Sequence, residues 1–134
     1  MPEELNRQTV LNYVEAFNRA DMVALRDLFT KDALVHGVLG WGELSQVIPI
    51  WEQLHQAFAL RLEVQSIVAD GDVVAVRYTE RGTSVAPFRG QEPTGKSYEL
   101  VAMEWFELRD GKIHRRWGAR DMATQFRQMG LSLT

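Results

Sequence analysis

Residues 97–121 read SYELVAMEWFELRDGKIHRRWGARD. Asp110-Gly111 is a dipeptide that favours a type I′ turn, and the stretches 97–109 and 112–121 on either side are rich in β-forming residues. A two-residue loop at Asp110-Gly111 places Glu104 opposite Trp117 and Leu100 opposite Asp121. With side chains alternating along each strand, one face then carries Leu100, Ala102, Glu104, Phe106 and Leu108 beside Ile113, Arg115, Trp117, Ala119 and Asp121. That face is mostly apolar and is expected to meet the core. The other face, with Glu99, Val101, Met103, Trp105 and Glu107 beside His114, Arg116, Gly118 and Arg120, is expected to meet solvent or another subunit.

A second hairpin precedes this one. Residues 60–69 and 73–84 are rich in Val, Ile and Thr and flank Asp70-Gly71, so two successive hairpins build an antiparallel sheet. Between the hairpins, APFRGQEPTG at 86–95 is expected to form a loop overhanging whatever the sheet encloses. Towards the N-terminus the period becomes helical. Val10, Val14 and Phe17 mark an amphipathic helix over Glu4 to Ala20. Asp21 is placed to cap a short second helix that buries Met22, Leu25, Leu28 and Phe29 and ends near Thr30. A short strand over Ala33 to His36 leads into an irregular loop at glycines 37, 40 and 42, followed by a helix from about Glu43 to Phe58 that should kink or restart at Pro49. Met122 to Met129 forms a closing helix stopped by Gly130. Helices first and a meandering sheet second is an α+β pattern, with the helices on one face of the sheet.

The 134 residues suit one domain, residues 1–134, with 46% hydrophobic side chains available for a core. The chain has no cysteine, which excludes disulfides, thiolate metal sites and cysteine nucleophiles. A net charge of −3 argues against nucleic acid as a partner. No apolar run approaches the ~20 residues needed to cross a bilayer, and the N-terminus reads as no secretory signal, so a cytoplasmic protein with no membrane partner is expected. Glu52-x-x-His55 has metal-ligand spacing but occurs once, where a carboxylate-bridged site needs more ligands; no metal site is expected.

Glu104, Arg115 and Asp121 are the ionisable groups of the predicted apolar face. Burying a carboxylate demands a partner or raises its pKa, so these positions mark either ion pairing or a functional cavity. Arg115 can pair with Glu104. Asp121 ends a strand where a helix begins, so a cap for the amides near Ala123 and Thr124 stands beside an acid/base role. His36, beside the glycine loop, is either a cavity residue or a solvated one.

PTGK at 93–96 and DGKI-x3-WG-x2-D from Asp110 to Asp121 resemble the SnoaL-like polyketide (ester) cyclase family of the nuclear transport factor 2-like superfamily. So do Asp32-x3-His36, Asp70-Gly71-Asp72-x-Val74-Ala75-Val76-Arg77 and Gln128-Met129-Gly130. The resemblance implies a cone-shaped α+β fold in which a curved antiparallel sheet, wrapped by N-terminal helices, encloses an apolar pocket, usually with dimerisation through the sheet. It implies that Asp121 acts as general acid/base in a ring closure needing neither metal nor cofactor, with Trp117 as pocket wall and His36 near the cavity. Glu104 stands where such cyclases often carry histidine.

These readings predict an enzyme that acts on a small hydrophobic carbonyl compound, with Asp121, Glu104 and His36 as catalytic residues. Trp117, Arg115, Phe106, Leu100 and Ala102 would bind substrate. The alternatives are epoxide hydrolysis or a steroid-type isomerisation on the same scaffold, and a module that binds a ligand without changing it. The apolar Val101, Met103 and Trp105 on the outer face point to a homodimer.

Overall fold

A computed structural model describes residues 2–37 and 40–133. The predicted glycine loop at 37–42 is therefore described only at its flanks, with Val38 and Leu39 outside. The elements run α1 (Pro2–Asn18), α2 (Met22–Arg26), β1 (Phe29–Gly37), β2 (Gly40–Glu43), α3 (Leu44–Phe58), β3 (Arg61–Asp70), β4 (Val73–Thr83), β5 (Ser97–Arg109), β6 (Lys112–Arg120) and α4 (Met122–Met129). The strands form one sheet ordered β2-β1-β6-β5-β4-β3. The two predicted hairpins are present, and β1 joins them by pairing in parallel with β6. Gly40–Glu43, expected as loop, pairs antiparallel with β1. No helix among the described residues is long and apolar enough to cross a membrane.

The core lies between the helices and one face of the sheet. Tyr13 and Phe17 of α1, Trp51 of α3 and Phe106 of β5 are all buried, and Tyr13 meets Phe106 edge-on at 5.3 Å between centroids. The stripe of Val10, Val14 and Phe17 that the helical period marks on α1 is buried. Asp21 caps α2 through Ala24 as expected. Helix α3 runs unbroken through Pro49 rather than restarting there. The carbonyl that Pro49 cannot bond belongs to Ser45, an exposed residue, so water can satisfy it.

The segment between β4 and β5 does not overhang the cavity described below. Its Phe88 is buried against Phe58 and Phe126, at 4.9 and 5.7 Å between ring centroids. The Thr94 hydroxyl donates to the Met129 carbonyl at 2.6 Å, and the Thr94 amide donates to the Ser84 hydroxyl at 3.0 Å. The threonine of PTGK thereby latches this segment to the end of α4.

One register difference decides everything about the site. At the hairpin end the predicted pairing holds, with Arg109 opposite Lys112 and Leu108 opposite Ile113. Then a β-bulge intervenes, and Glu107 faces Arg115 while Glu104 faces Gly118. His114 is the extra residue. A one-residue bulge turns every later side chain to the other face. Beyond it, Arg116, Gly118 and Arg120 point to the core with Ala102, Glu104 and Phe106, while Arg115, Trp117, Ala119 and Asp121 point away. The bulge lies where β1 docks: the Ile113 amide donates to the Leu28 carbonyl at 2.8 Å, and the next β1–β6 pair is Leu34 with Arg115. This parallel contact is long-range, so the hairpin's own residues do not announce it.

Candidate functional site

Between α3, α4 and the inner face of the sheet is a cavity of about 310 Å³. Its walls are largely apolar, including Phe17, Val35, Ile50, Trp51, Leu54 and Phe126. The charged side chains among the described lining residues are Glu80, Arg116 and Arg120, with Gln46 and Gln125 as neutral polar neighbours.

Strand alternation explains why these charges are inside. Val74, Val76, Tyr78 and Glu80 share the buried face of β4. Glu80 is only 1% exposed, so its carboxylate must be partnered. It accepts from the Tyr98 hydroxyl at 2.6 Å and from Arg120 Nε at 2.7 Å. A second set lies deeper, where Glu104 accepts from the Tyr78 hydroxyl at 2.8 Å and is paired with Arg116. Burial opposes the charge of both guanidiniums, but the facing carboxylates outweigh it and raise both arginine pKa values. Burial, and then the same carboxylates, raise the Tyr78 and Tyr98 hydroxyls, so both phenols stay protonated and donate.

Gly118 makes the inner pair possible. A Cβ there would come within 2.7 Å of Arg116 Nη1 and 2.8 Å of its Cζ. The glycine leaves room for the guanidinium to fold back over its own strand towards Glu104, and Arg116 Cζ also stands 5.4 Å from the centre of the Trp51 ring.

The eight residues proposed from sequence are not among the described residues that line this cavity. Leu100, Ala102, Glu104 and Phe106 do face the core, as their strand parity predicted. Arg115 is on the outer side and donates to the carbonyls of His114 and Asp32 at 2.8 and 3.3 Å. The partner of Glu104 is Arg116, not Arg115. Trp117 and His36 pair across β6 and β1 without lining the cavity, and both rings meet Trp41, which does line it, at 5.2 and 5.0 Å between centroids. Asp121 is exposed and caps α4, accepting from the Thr124 amide at 3.0 Å and its hydroxyl at 2.7 Å. The Thr124 hydroxyl, then its amide, lowers the Asp121 pKa, opposite in direction to the rise expected of a buried acid/base.

Glu80, Arg116, Arg120 and the tyrosines were missed. For Tyr78 and Glu80 a signal existed: they continue the alternation of Val74 and Val76, which marks the inward face of β4. For the arginines none existed without the bulge.

Helices packed on one face of a six-stranded sheet, with a cavity between them, define a nuclear transport factor 2-like fold. A protein from Xanthomonas campestris shares that fold at a TM-score of 0.88 and 21% identity, covering 96% of this chain and 99% of the other. The sequence model of the SnoaL-like polyketide cyclase family matches residues 7–129, and the chain belongs to that family. It is similar to wild-type IdmH of Streptomyces antibioticus, a proposed polyketide cyclase, at 30% identity, a TM-score of 0.83 and coverage of 94% of this chain and 99% of that one. It is also similar to AclR of Streptomyces galilaeus, a proposed hydroxylase, at 27% identity, a TM-score of 0.86 and coverage of 96% and 97%. An epoxide hydrolase of M. tuberculosis shares the fold at 14% identity and a TM-score of 0.77, covering 96% of this chain and 92% of that one. Among curated proteins there is no match.

Proposed function

We propose that the cavity takes a small, largely apolar carbonyl compound and that Glu80, in place of the expected Asp121, exchanges a proton with it. The observation that carries this reading is the position of Glu80, a buried carboxylate on the wall of an apolar cavity. A carboxylate offers about four acceptor positions, and two of those on Glu80 are occupied by Tyr98 and Arg120. The remaining capacity can receive a proton from the carbon next to a carbonyl. The electron pair left behind moves onto the carbonyl oxygen, and the Arg116 and Arg120 guanidiniums at the same cavity stabilise that developing charge. Forming such an enolate is the first demand of a ring closure of the aldol type, and membership of a cyclase family supports it.

The test is proton exchange at the methyl ketone of 2-acetylnaphthalene in heavy water, followed by NMR. The wild-type protein should accelerate exchange, Glu80→Gln should lower the accelerated rate by about 10²–10⁴-fold, and Asp121→Asn should leave it within about twofold of wild type. Exchange lost in Asp121→Asn and kept in Glu80→Gln would return the acid/base role to Asp121.

A second reading, a cavity that holds its ligand unchanged, is favoured by the fact that both Glu80 oxygens already accept a hydrogen bond. It predicts ligand retention in native mass spectrometry with no exchange above background.

We further propose a homodimer through the outer face of the sheet. Val101, Met103 and Trp105 are 55%, 55% and 47% exposed in one row along β5, an apolar strip flanked by the exposed ion pairs of Arg81 with Glu99 and Glu63. Such a strip with mixed charges at its border can match a second copy of itself. Sedimentation should show a dimer that Met103→Glu dissociates; a monomer at micromolar wild-type protein refutes the assignment.

A further inference from the structure

Gly37 at the end of β1 and Gly40 and Gly42 of β2 line the cavity beside Val35. The register pairs Gly37 with Gly40 and Val35 with Gly42, so by strand alternation these four share one face of the β1–β2 pair. Glycine inside a strand marks a bend or a place where something approaches the backbone closely. Two of the three have such a reason within the protein. Gly40 has a φ of +99°, which side chains rarely adopt. At Gly42 an added Cβ would stand 3.2 Å from Val47 Cγ2, so the glycine lets α3 approach the strand. Gly37 has neither reason. Its φ is not positive, and an added Cβ would meet nothing within 4 Å.

Helix α3 therefore touches the pair at Gly42 and leaves open space at Gly37 and Gly40, about 7 Å further along the strand. This end of the cavity is apolar and open. Val47 and the exposed Ile50 line it, no charged residue of β1, β2 or α3 is among the described lining residues, and the Gln46 side-chain oxygen accepts from the Glu43 amide at 2.9 Å. The charged wall lies across the sheet, since β2 is two strand spacings, about 10 Å, from β6, which carries Arg116.

We propose that the missing side chain at Gly37 leaves a slot for the flat apolar end of the ligand, and that Gly37 thereby selects a two-ring carbonyl compound over a one-ring one. The inference rests on reading the cavity as the site of a carbonyl compound, and it adds the length and shape of the group attached to the carbonyl. With its oxygen at the Arg116 and Arg120 wall, a fused two-ring ketone is long enough to reach the glycines, and a one-ring ketone stops short. The second ring gains the apolar contact of the slot.

Acetophenone and 2-acetylnaphthalene, bound to wild-type protein, Gly37→Ala and Gly37→Val and measured by equilibrium dialysis, test this. Wild type should bind the two-ring ketone about tenfold more tightly than the one-ring ketone. Gly37→Val should erase that advantage, lowering affinity for 2-acetylnaphthalene about tenfold and leaving acetophenone within about twofold, with Gly37→Ala between the two. The Tm of both variants should equal or exceed that of wild type, because a side chain at a strand position costs less chain entropy on folding than glycine. A Gly37 that serves only the backbone would not move the ratio between two ligands. The slot is overturned if 2-acetylnaphthalene keeps its advantage in Gly37→Val, or if both affinities fall together. If neither ketone binds wild type, the cavity reading falls and takes the slot with it.

Discussion

Glu104, Arg116 and Tyr78 on one side, and Glu80, Arg120 and Tyr98 on the other, are the same three chemical groups supplied by the same three strands, β4, β5 and β6. In the first set the carboxylate comes from β5 and the phenol from β4; in the second the two exchange strands. The side chains of Glu104 and Arg116 are 1% and 4% exposed, whereas Arg120 is 22% exposed and both it and Glu80 reach the cavity. Identical chemistry thus serves two ends. The inner set reaches the cavity through Arg116 alone, and the outer set keeps a buried carboxylate beside a space a ligand can enter.

Removing Glu104 breaks the comparison most severely. Glu104→Leu leaves Arg116 buried and unpaired and should cost about 3–5 kcal/mol of stability, read from the urea midpoint; the double variant Glu104→Leu/Arg116→Met should recover most of that loss, since a well-packed apolar pair is an adequate replacement. Gly118→Ala attacks the same set indirectly, by pressing a methyl group against the Arg116 head, and should cost about 3 kcal/mol in the same measurement. The outer set should prove more forgiving. Glu80→Gln keeps an acceptor for Tyr98 and should cost only about 1–2 kcal/mol, with its main effect on proton exchange.

Asp121→Ala should have the smallest effect, a Tm lowered by about 2–4 °C through loss of the α4 cap, with little change in exchange. Because hydrogen bonds from Thr124 lower the Asp121 pKa in the folded state from its ordinary value of 3.8, the cap contributes fully above that value. The contribution fades as pH falls through the folded-state pKa. The Tm gap between wild type and Asp121→Ala should therefore be constant near neutrality and close on acidification; a gap that widens at low pH contradicts the cap assignment.

The helices, both hairpins and the inward parity of β5 were legible because each depends on local periodicity or on a turn dipeptide. Glu104 was rightly placed on the core face for that reason. Glu80 was legible in principle, as the fourth member of an alternation begun by Val74. The inward arginines were not legible. Their orientation depends on His114 being extruded where β1 docks, and that contact joins residues more than eighty positions apart. Asp121 shows how a motif and a local cap can compete for one residue: its strand-end position is equally suited to holding the Thr124 amide, and in this fold that is where its carboxylate is spent.

The extruded histidine also bears on how such a sheet can diverge. Deleting one codon at position 114 would remove the extra residue and leave Arg116, Gly118 and Arg120 on the side that faces the helices, whereas drawing His114 into the ladder would bring Arg115, Trp117 and Ala119 there instead. Losing the bulge at constant length would reach a different interior in one event, whereas substitutions would have to rewrite the strand residue by residue.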